Sequence, residues 1–344
     1  MSNLASVLAL LQKDGLQIGG LADVPREHGG VSWGLAGLDQ HFKTRGVPRG
    51  RITQIVGEQN CGKTNLALSV IASLHTDVDA GRVPRGTVLF VDTERTFEEE
   101  YMRTMGVAVD DPARFILMRP DDGIEAIDAM EKLIDTGEID LVVLDSITFL
   151  IPRQMLEADV GKILPAIQAR QNSMLVQRLV GKIARNNVAF VIVNHLGSLM
   201  KQDAYGNAIL EPRGGAMLQN STSVMVWLKK TARPVGDDGK PVTNADMNES
   251  VASLVTIVVH KNKLGAQHRN VPAQLVFGSG FDPVFDLFAV AIDRGVLAQK
   301  GAWVQYGPDG SKGKWNGKAR CLDALAEDIE LFQQLRAEVL AVEQ

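Results

Sequence analysis

The stretch IVGEQNCGKTNLALSV, Ile55 to Val70, constrains the fold more than any other part of the chain. An apolar run reads as a strand, a glycine-framed loop follows, and the apolar spacing of TNLALSVIASL opens a helix. Gly57, Glu58, Gln59, Asn60, Cys61, Gly62, Lys63 and Thr64 satisfy the pattern G-x-x-x-x-G-K-[ST]. The glycines let backbone N–H groups curl around phosphate oxygens, and the helix dipole favours their charge. Lys63 is placed to reach the β- and γ-phosphates and Thr64 to hold Mg²⁺. Asn65 is counted with them as part of the nucleotide site, and Cys61 reads as a small filler inside the loop.

A strand that feeds a helix asks for parallel neighbours. Candidate strands run over 52–56, 87–92, 141–145, 189–194, 224–229 and 254–260, with helical stretches between the first four. That alternation predicts an α/β fold, a mostly parallel central sheet flanked by helices. The later strands follow one another through loops and read as antiparallel additions at one edge. The polar segment TARPVGDDGKPVTNADMNES, residues 231–250, reads as an exposed hairpin loop.

The chain divides into three parts on this reading: 1–30, 31–280 and 281–344. In the first, Leu4, Val7, Leu8 and Leu11 lie at helical spacing. Such a helix either packs on its own core or serves as an oligomerisation arm docked on a neighbour. In the last, Lys300, Lys312, Lys314, Lys318 and Arg320 surround Trp303 and Trp315. A basic patch with interleaved aromatics suits duplex DNA capture, and a solvated turn with one core tryptophan is the competing reading.

Composition narrows the class. At 22% charged and 45% hydrophobic residues, the 344-residue chain is expected to be soluble and globular. No apolar run reaches membrane-spanning length, and the first residues lack the pattern of a signal peptide. Two cysteines make no disulfide framework, which points to a reducing, cytoplasmic setting. The net charge of -5 means that nucleic acid would have to be held by local basic patches.

Two acidic strand ends complete the nucleotide site. LVVLDS delivers Asp145 to the carboxyl end of a buried strand, where it would bind Mg²⁺ through water. LFVDTERTFEEEYMRTMGV ends its strand in Asp92 and Glu94. Glu94, on the strand expected beside the P-loop strand, would orient a water for attack on the γ-phosphate. By spacing alone Tyr101 reads as a core residue.

Together these segments resemble RecA-type DNA recombinases, and within them the phage-encoded UvsX-like members. VSWGLAGLDQHFKTRGVPRGRITQIVGEQNCGKT is similar to the entry into that family's ATPase core, and FVDTERTFEEEYMRTMGV to its catalytic-glutamate segment. The resemblance runs from about Val31 to Arg320. It implies a RecA-like ATPase core with a small α+β C-terminal module. Glu94 takes the catalytic position, Tyr101 stacks on adenine, and Glu98 lies near the adenine edge. Asn194-His195 stands where a γ-phosphate sensor is usually Asn-Gln, which makes His195 the sensor. In VVHKNKLG, Lys261 and Lys263 reach the nucleotide of the adjoining subunit, so ATP holds a helical filament together.

The resemblance also assigns two single-stranded DNA-binding loops. PRQMLEADVGKILP carries Arg153, Lys162, Ile163 and Leu164, with Arg170 beyond it. LGSLMKQDAYGNAILEPR carries Met200, Lys201, Tyr205 and Arg213 and leads into Gly214 and Gly215. Cations on the phosphates and wedges between bases bind without regard to sequence. The implied partners are single- and double-stranded DNA, further copies of the chain, and single-strand-binding and loader proteins. No membrane is implied. The implied activity is ATP-driven homology search and strand exchange. The alternatives are a hexameric helicase-like motor and a recombinase paralogue that regulates without exchanging strands. An aromatic common in the family after the double glycine is absent here, where the sequence reads AMLQNSTS.

Overall fold

The computed structural model describes residues 3–13, 29–157, 165–202, 208–232 and 252–342. It begins with helix α1 (Asn3–Lys13), then a two-residue pairing of β1 (Gly30–Val31) with β2 (Val47–Pro48) around the short α2 (Ala36–Asp39). The P-loop strand β3 (Ile52–Gly57) runs into α3 (Lys63–Asp79), as the motif requires. Then come β4 (Val88–Asp92), α4 (Glu99–Thr104), β5 (Phe115–Met118), α5 (Gly123–Asp135) and β6 (Leu141–Asp145). Next are α6 (Arg153–Leu156), α7 (Pro165–Arg185), β7 (Ala189–Gln202), β8 (Ala208–Pro212) and α8 (Gly215–Ser221). The sheet is completed by β9 (Thr222–Ala232), β10 (Ala252–Asn262), β11 (Arg269–Val276) and β12 (Gly280–Phe281).

The strand order is β12-β11-β10-β9-β3-β7-β6-β4-β5, with β8 paired to β7. From β9 to β5 every pairing is parallel. Crossovers of that kind need helices on the sheet faces. One face packs Val191, Ile55 and Val226 against Leu66, Val70 and Leu74 of α3. The other packs Leu144, Ile192 and Phe190 against Ile127 of α5 and Leu175 and Leu179 of α7. Asp122 accepts from the backbone N–H groups of Ile124 and Glu125 and so starts α5.

The remaining chain is a smaller layer. It contains α9 (Pro283–Asp293), the antiparallel strands β13 (Leu297–Lys300), β14 (Trp303–Tyr306) and β15 (Gly313–Asn316), then α10 (Lys318–Glu327) and α11 (Ile329–Ala341). These elements share one apolar cluster that also takes in Ala36. The C-terminal helical stretch is divided into α10 and α11 because Asp328 leaves the helical conformation and caps α11.

Two expectations need correction. β9 is a parallel neighbour of the P-loop strand rather than an antiparallel edge addition, because α8 carries the chain back before β9 begins. The antiparallel additions start at β10. The strands β5 and β11 are absent from the sequence reading. β5 is a four-residue edge, and Pro272 interrupts the pattern of β11. That proline is tolerated because β12 pairs only with Leu275 and Val276 and leaves the rest of the edge open. The expected hairpin loop lies, from residue 233 onward, outside the described residues. Among the described residues no helix is long and apolar enough to cross a membrane.

Candidate nucleotide and nucleic-acid site

The carboxyl ends of β3, β7, β6 and β4 surround a cavity of about 350 Å³ that includes Lys63, Thr64, Asn65, Glu94, Asp145 and His195. Gln59, Asn60, Gly62 and Phe149 also line it. Gly57 ends β3 where a Cβ would lie 2.6 Å from Cys61 Sγ and 2.7 Å from the Leu228 carbonyl. Gly62 caps α3 at φ 89, a left-handed conformation that favours glycine. Cys61 is buried, and its thiol donates to the Glu58 carbonyl at 3.0 Å. Burial pushes that thiol's pKa up, which disfavours the reactive thiolate.

Lys63 Nζ donates to the same Glu58 carbonyl at 2.6 Å, which holds its charge over the loop. Thr64 Oγ1 donates to Asp145 Oδ2 at 2.7 Å. Burial pushes the Asp145 carboxyl up to about 7; the Thr64 bond opposes this, and the charges of Glu94 and Asp92 add to it. Asp145 Oδ1 is buried without a partner. A desolvated carboxylate with a spare oxygen beside a hydroxyl fits a divalent cation, which would supply the missing positive charge. Among the described residues no cluster of three or more His, Cys, Asp or Glu could hold a metal alone. Magnesium here would therefore take its other ligands from phosphate and water, as its reluctance to dehydrate favours.

Glu94 reaches the cavity by a route the sequence did not show. Its strand β4 is not beside β3; β7 and β6 lie between them. Parallel order is set by which crossover goes where, and no local residue encodes it. The end of β4 instead folds over the end of β6. Thr93 N donates to the Asp145 carbonyl at 2.8 Å. Thr93 Oγ1 donates to the Ser146 carbonyl at 2.7 Å and accepts from Ser146 N at 2.9 Å. Ser146 Oγ then donates to Glu94 Oε1 at 2.7 Å, and His195 Nε2 lies 2.9 Å from that same oxygen. His195 comes from β7, in register with Gly57, and Phe149 meets its ring edge-on at 6.3 Å. Sequence reasoning missed Ser146 and Phe149. The serine beside Asp145 was the available signal for the first.

The residues carried over from the resemblance are placed less uniformly. Tyr101 packs against the core, and its hydroxyl donates to Asn65 Oδ1 at 2.7 Å. It stands behind a cavity residue rather than on the cavity wall. Glu98 is exposed at the start of α4, away from the cavity lining. Lys261 and Lys263 donate to the carbonyls of Gln219 and Asn220, each at 2.6 Å, and so hold the carbonyl end of α8. Neither lines the cavity of its own chain.

Of the DNA-assigned residues, Lys162, Ile163, Leu164 and Tyr205 lie outside the described residues, as do the side chains of Met200 and Lys201. Arg153 donates through Nε and a terminal nitrogen to Asp122 Oδ2, at 2.8 and 2.5 Å, so an acidic partner already engages it. Arg170 is exposed on α7. Arg213 N donates to the His195 carbonyl at 3.1 Å, and Gly214 and Gly215 follow at φ 105 and 84. In the C-terminal layer Trp315 packs into the core, whereas Trp303 is exposed with Lys314 Nζ 4.9 Å from its ring centre. Lys312 is paired with Glu338 at 2.7 Å.

The RecA N-terminal domain family matches residues 16–282. Protein RecA of Thermus thermophilus is 33% identical over 321 residues, covering 93% of this chain and 87% of that protein. Protein RecA of Deinococcus radiodurans is 34% identical over 313 residues, covering 90% and 79%. The crystal structure of the RadB recombinase shares the fold, with a TM-score of 0.51 at 21% identity, covering 73% of this chain and 98% of that one.

Proposed function

The chain belongs to the RecA family of DNA recombinases, and from that premise we propose that it is a DNA-dependent ATPase that assembles as a helical filament on single-stranded DNA. The observation that carries the reading is the convergence of Lys63, Thr64, Asp145, Glu94 and His195 on one cavity. Lys63 exchanges the Glu58 carbonyl for phosphate oxygens. Thr64 and Asp145 would hold Mg²⁺, which would neutralise phosphate charge. Glu94, steadied by Ser146, orients a water against the γ-phosphate and takes its proton. His195 shares Glu94 Oε1, so drawing His195 toward the γ-phosphate frees the carboxylate for that water.

Lys261 and Lys263 reach the nucleotide of the next copy, and the clamped triphosphate is the glue of the filament. Two observations support assembly. The two lysines stand clear of their own chain's cavity, and the apolar Val7 and Leu10 of α1 are exposed, which suits an arm docked on a neighbour. The double-glycine turn after Arg213 and the segment around Arg153 contact single-stranded DNA, and the exposed Trp303–Lys314 pair captures duplex. The three-part division at residues 30 and 280, a cytoplasmic setting, and kinship with the phage-encoded branch through Asn194-His195 belong to the same proposal. Imaging the protein with single-stranded DNA and a slowly hydrolysed ATP analogue tests it. Continuous helical filaments are expected; closed rings or dispersed monomers would overturn it.

A further inference from the structure

Strand β3 carries a fully buried amide, Gln54, next to the P-loop. Gln54 Oε1 accepts from Asn194 Nδ2 at 2.8 Å, and its Nε2 donates to Thr222 Oγ1. Thr222 Oγ1 donates onward to the Leu218 carbonyl at 2.7 Å. Asn194 Nδ2 also donates to the Arg213 carbonyl at 2.7 Å. All three side chains belong to residues at 0% exposure. Both ends of the chain of bonds are backbone carbonyls, which can only accept. The donor directions along it are therefore fixed.

The placement of the two ends matters. Arg213 precedes the Gly214–Gly215 turn, and Leu218 lies within α8 just after it. The short segment 213–221 is thus held from both sides by one buried chain of bonds rooted beside the nucleotide loop. Arg213 is gripped at two points: its N–H bonds the His195 carbonyl while Asn194 holds its carbonyl. Asn194 Oδ1 is buried with no partner, so the amide is not locked by a full set of bonds. A buried polar network is costly to leave half made, so a shift at one end is felt at the other.

We infer that Gln54 and Thr222 are positioning residues through which the state of the nucleotide cavity sets the conformation of segment 213–221. The inference gains its purpose from the reading of this segment as a DNA contact, and so rests on that reading. It differs from the lysine contacts, because Lys261 and Lys263 reach α8 from the end of β10, whereas this network reaches it from the P-loop strand.

The test is backbone amide exchange of residues 213–221 in the full chain without DNA, with and without Mg²⁺ and a slowly hydrolysed ATP analogue. Wild type and Thr222→Ser should change exchange on nucleotide binding by about fivefold, the scale of one coupling hydrogen bond. Thr222→Val, which keeps the shape and removes the hydroxyl, should lose that response while binding the analogue equally well. An undiminished response in Thr222→Val, or none in wild type, would overturn the inference. If Thr222→Val does not fold, Gln54→Met is judged by the same criterion. Since no DNA is present, failure here leaves the DNA reading standing. Failure of wild type to bind single-stranded DNA would sink that reading alone.

Discussion

Two buried acidic sites in this molecule look alike by one measure and differ by another. In the nucleotide cavity, burial lifts Asp145 to about 7. At the junction with the C-terminal layer, burial lifts Asp39 to about 6 and Asp286 to about 7. The hydrogen bonds separate them. Asp39 accepts from Trp33 N at 2.8 Å, Ser32 Oγ at 2.5 Å and Arg336 at 3.1 Å. Asp286 accepts from the N–H of Gly37 at 2.9 Å and also from Ala36. Asp145 has one hydroxyl donor and an unpartnered oxygen at an open cavity. A satisfied buried acid is a strut, tying α2, α9 and α11 together. An unsatisfied one at an open cavity fits a cation-binding role.

The largest expected effect lies on the cavity side. Glu94→Gln should lower ATP hydrolysis by about 100-fold or more while nucleotide affinity holds, as for loss of a general base. Rate and binding measured together check this, and an equal loss in both would remove Glu94 from the chemistry. Next, Asp39→Ala should cost about 3 kcal/mol of stability, because it strands Trp33 N–H, Ser32 and Arg336. Nucleotide affinity should stay unchanged. Asp145→Asn should do the reverse: Mg²⁺-dependent nucleotide affinity falls about tenfold, with no loss of stability at pH 8 in denaturant melts.

The pH dependence sharpens the contrast further. All three carboxyls have folded pKa values above their ordinary ones, so their stabilising contribution is full below about pH 4. It is lost as pH rises through about 6 and 7. Melting temperature without nucleotide should therefore fall between about pH 4 and 7. Mg²⁺ with an ATP analogue should remove the Asp145 share of that slope and leave the junction share. A slope untouched by nucleotide would make Asp145 a strut as well. The smallest effect is expected at Cys61. Cys61→Ala should cost about 1 kcal/mol through a lost contact and leave hydrolysis unaltered; loss of activity would show that the thiol has a chemical role.

The two sites also differ in how far the sequence exposes them. Gly57 to Thr64 is one contiguous motif; Asp145 ends an apolar strand and Glu94 lies two residues past another, so the apolar runs point to both, whereas His195, inside β7, is singled out only by the resemblance to RecA-type recombinases. Their convergence depends on strand order, which periodicity does not carry: the sequence suggests Glu94 beside the P-loop strand, whereas β7 and β6 intervene. Ser146 and Phe149 escape notice because they sit in the turn after a strand, where no periodicity marks a residue's direction. The junction is not legible at all. Asp39, Asp286 and Arg336 are far apart in the chain, and each alone reads as an ordinary surface charge. The Arg153–Asp122 pair is hidden in the same way, so a cation read as open to phosphate is already engaged. The Gly214–Gly215 turn, which the resemblance assigns to DNA contact, takes two successive left-handed positions that favour glycine.

The most direct test of the account is the rate of ATP hydrolysis by the wild-type chain with and without single-stranded DNA, in the presence of Mg²⁺. The account predicts slow hydrolysis alone and marked stimulation by DNA. Hydrolysis that ignores DNA, or no hydrolysis under either condition, would contradict it.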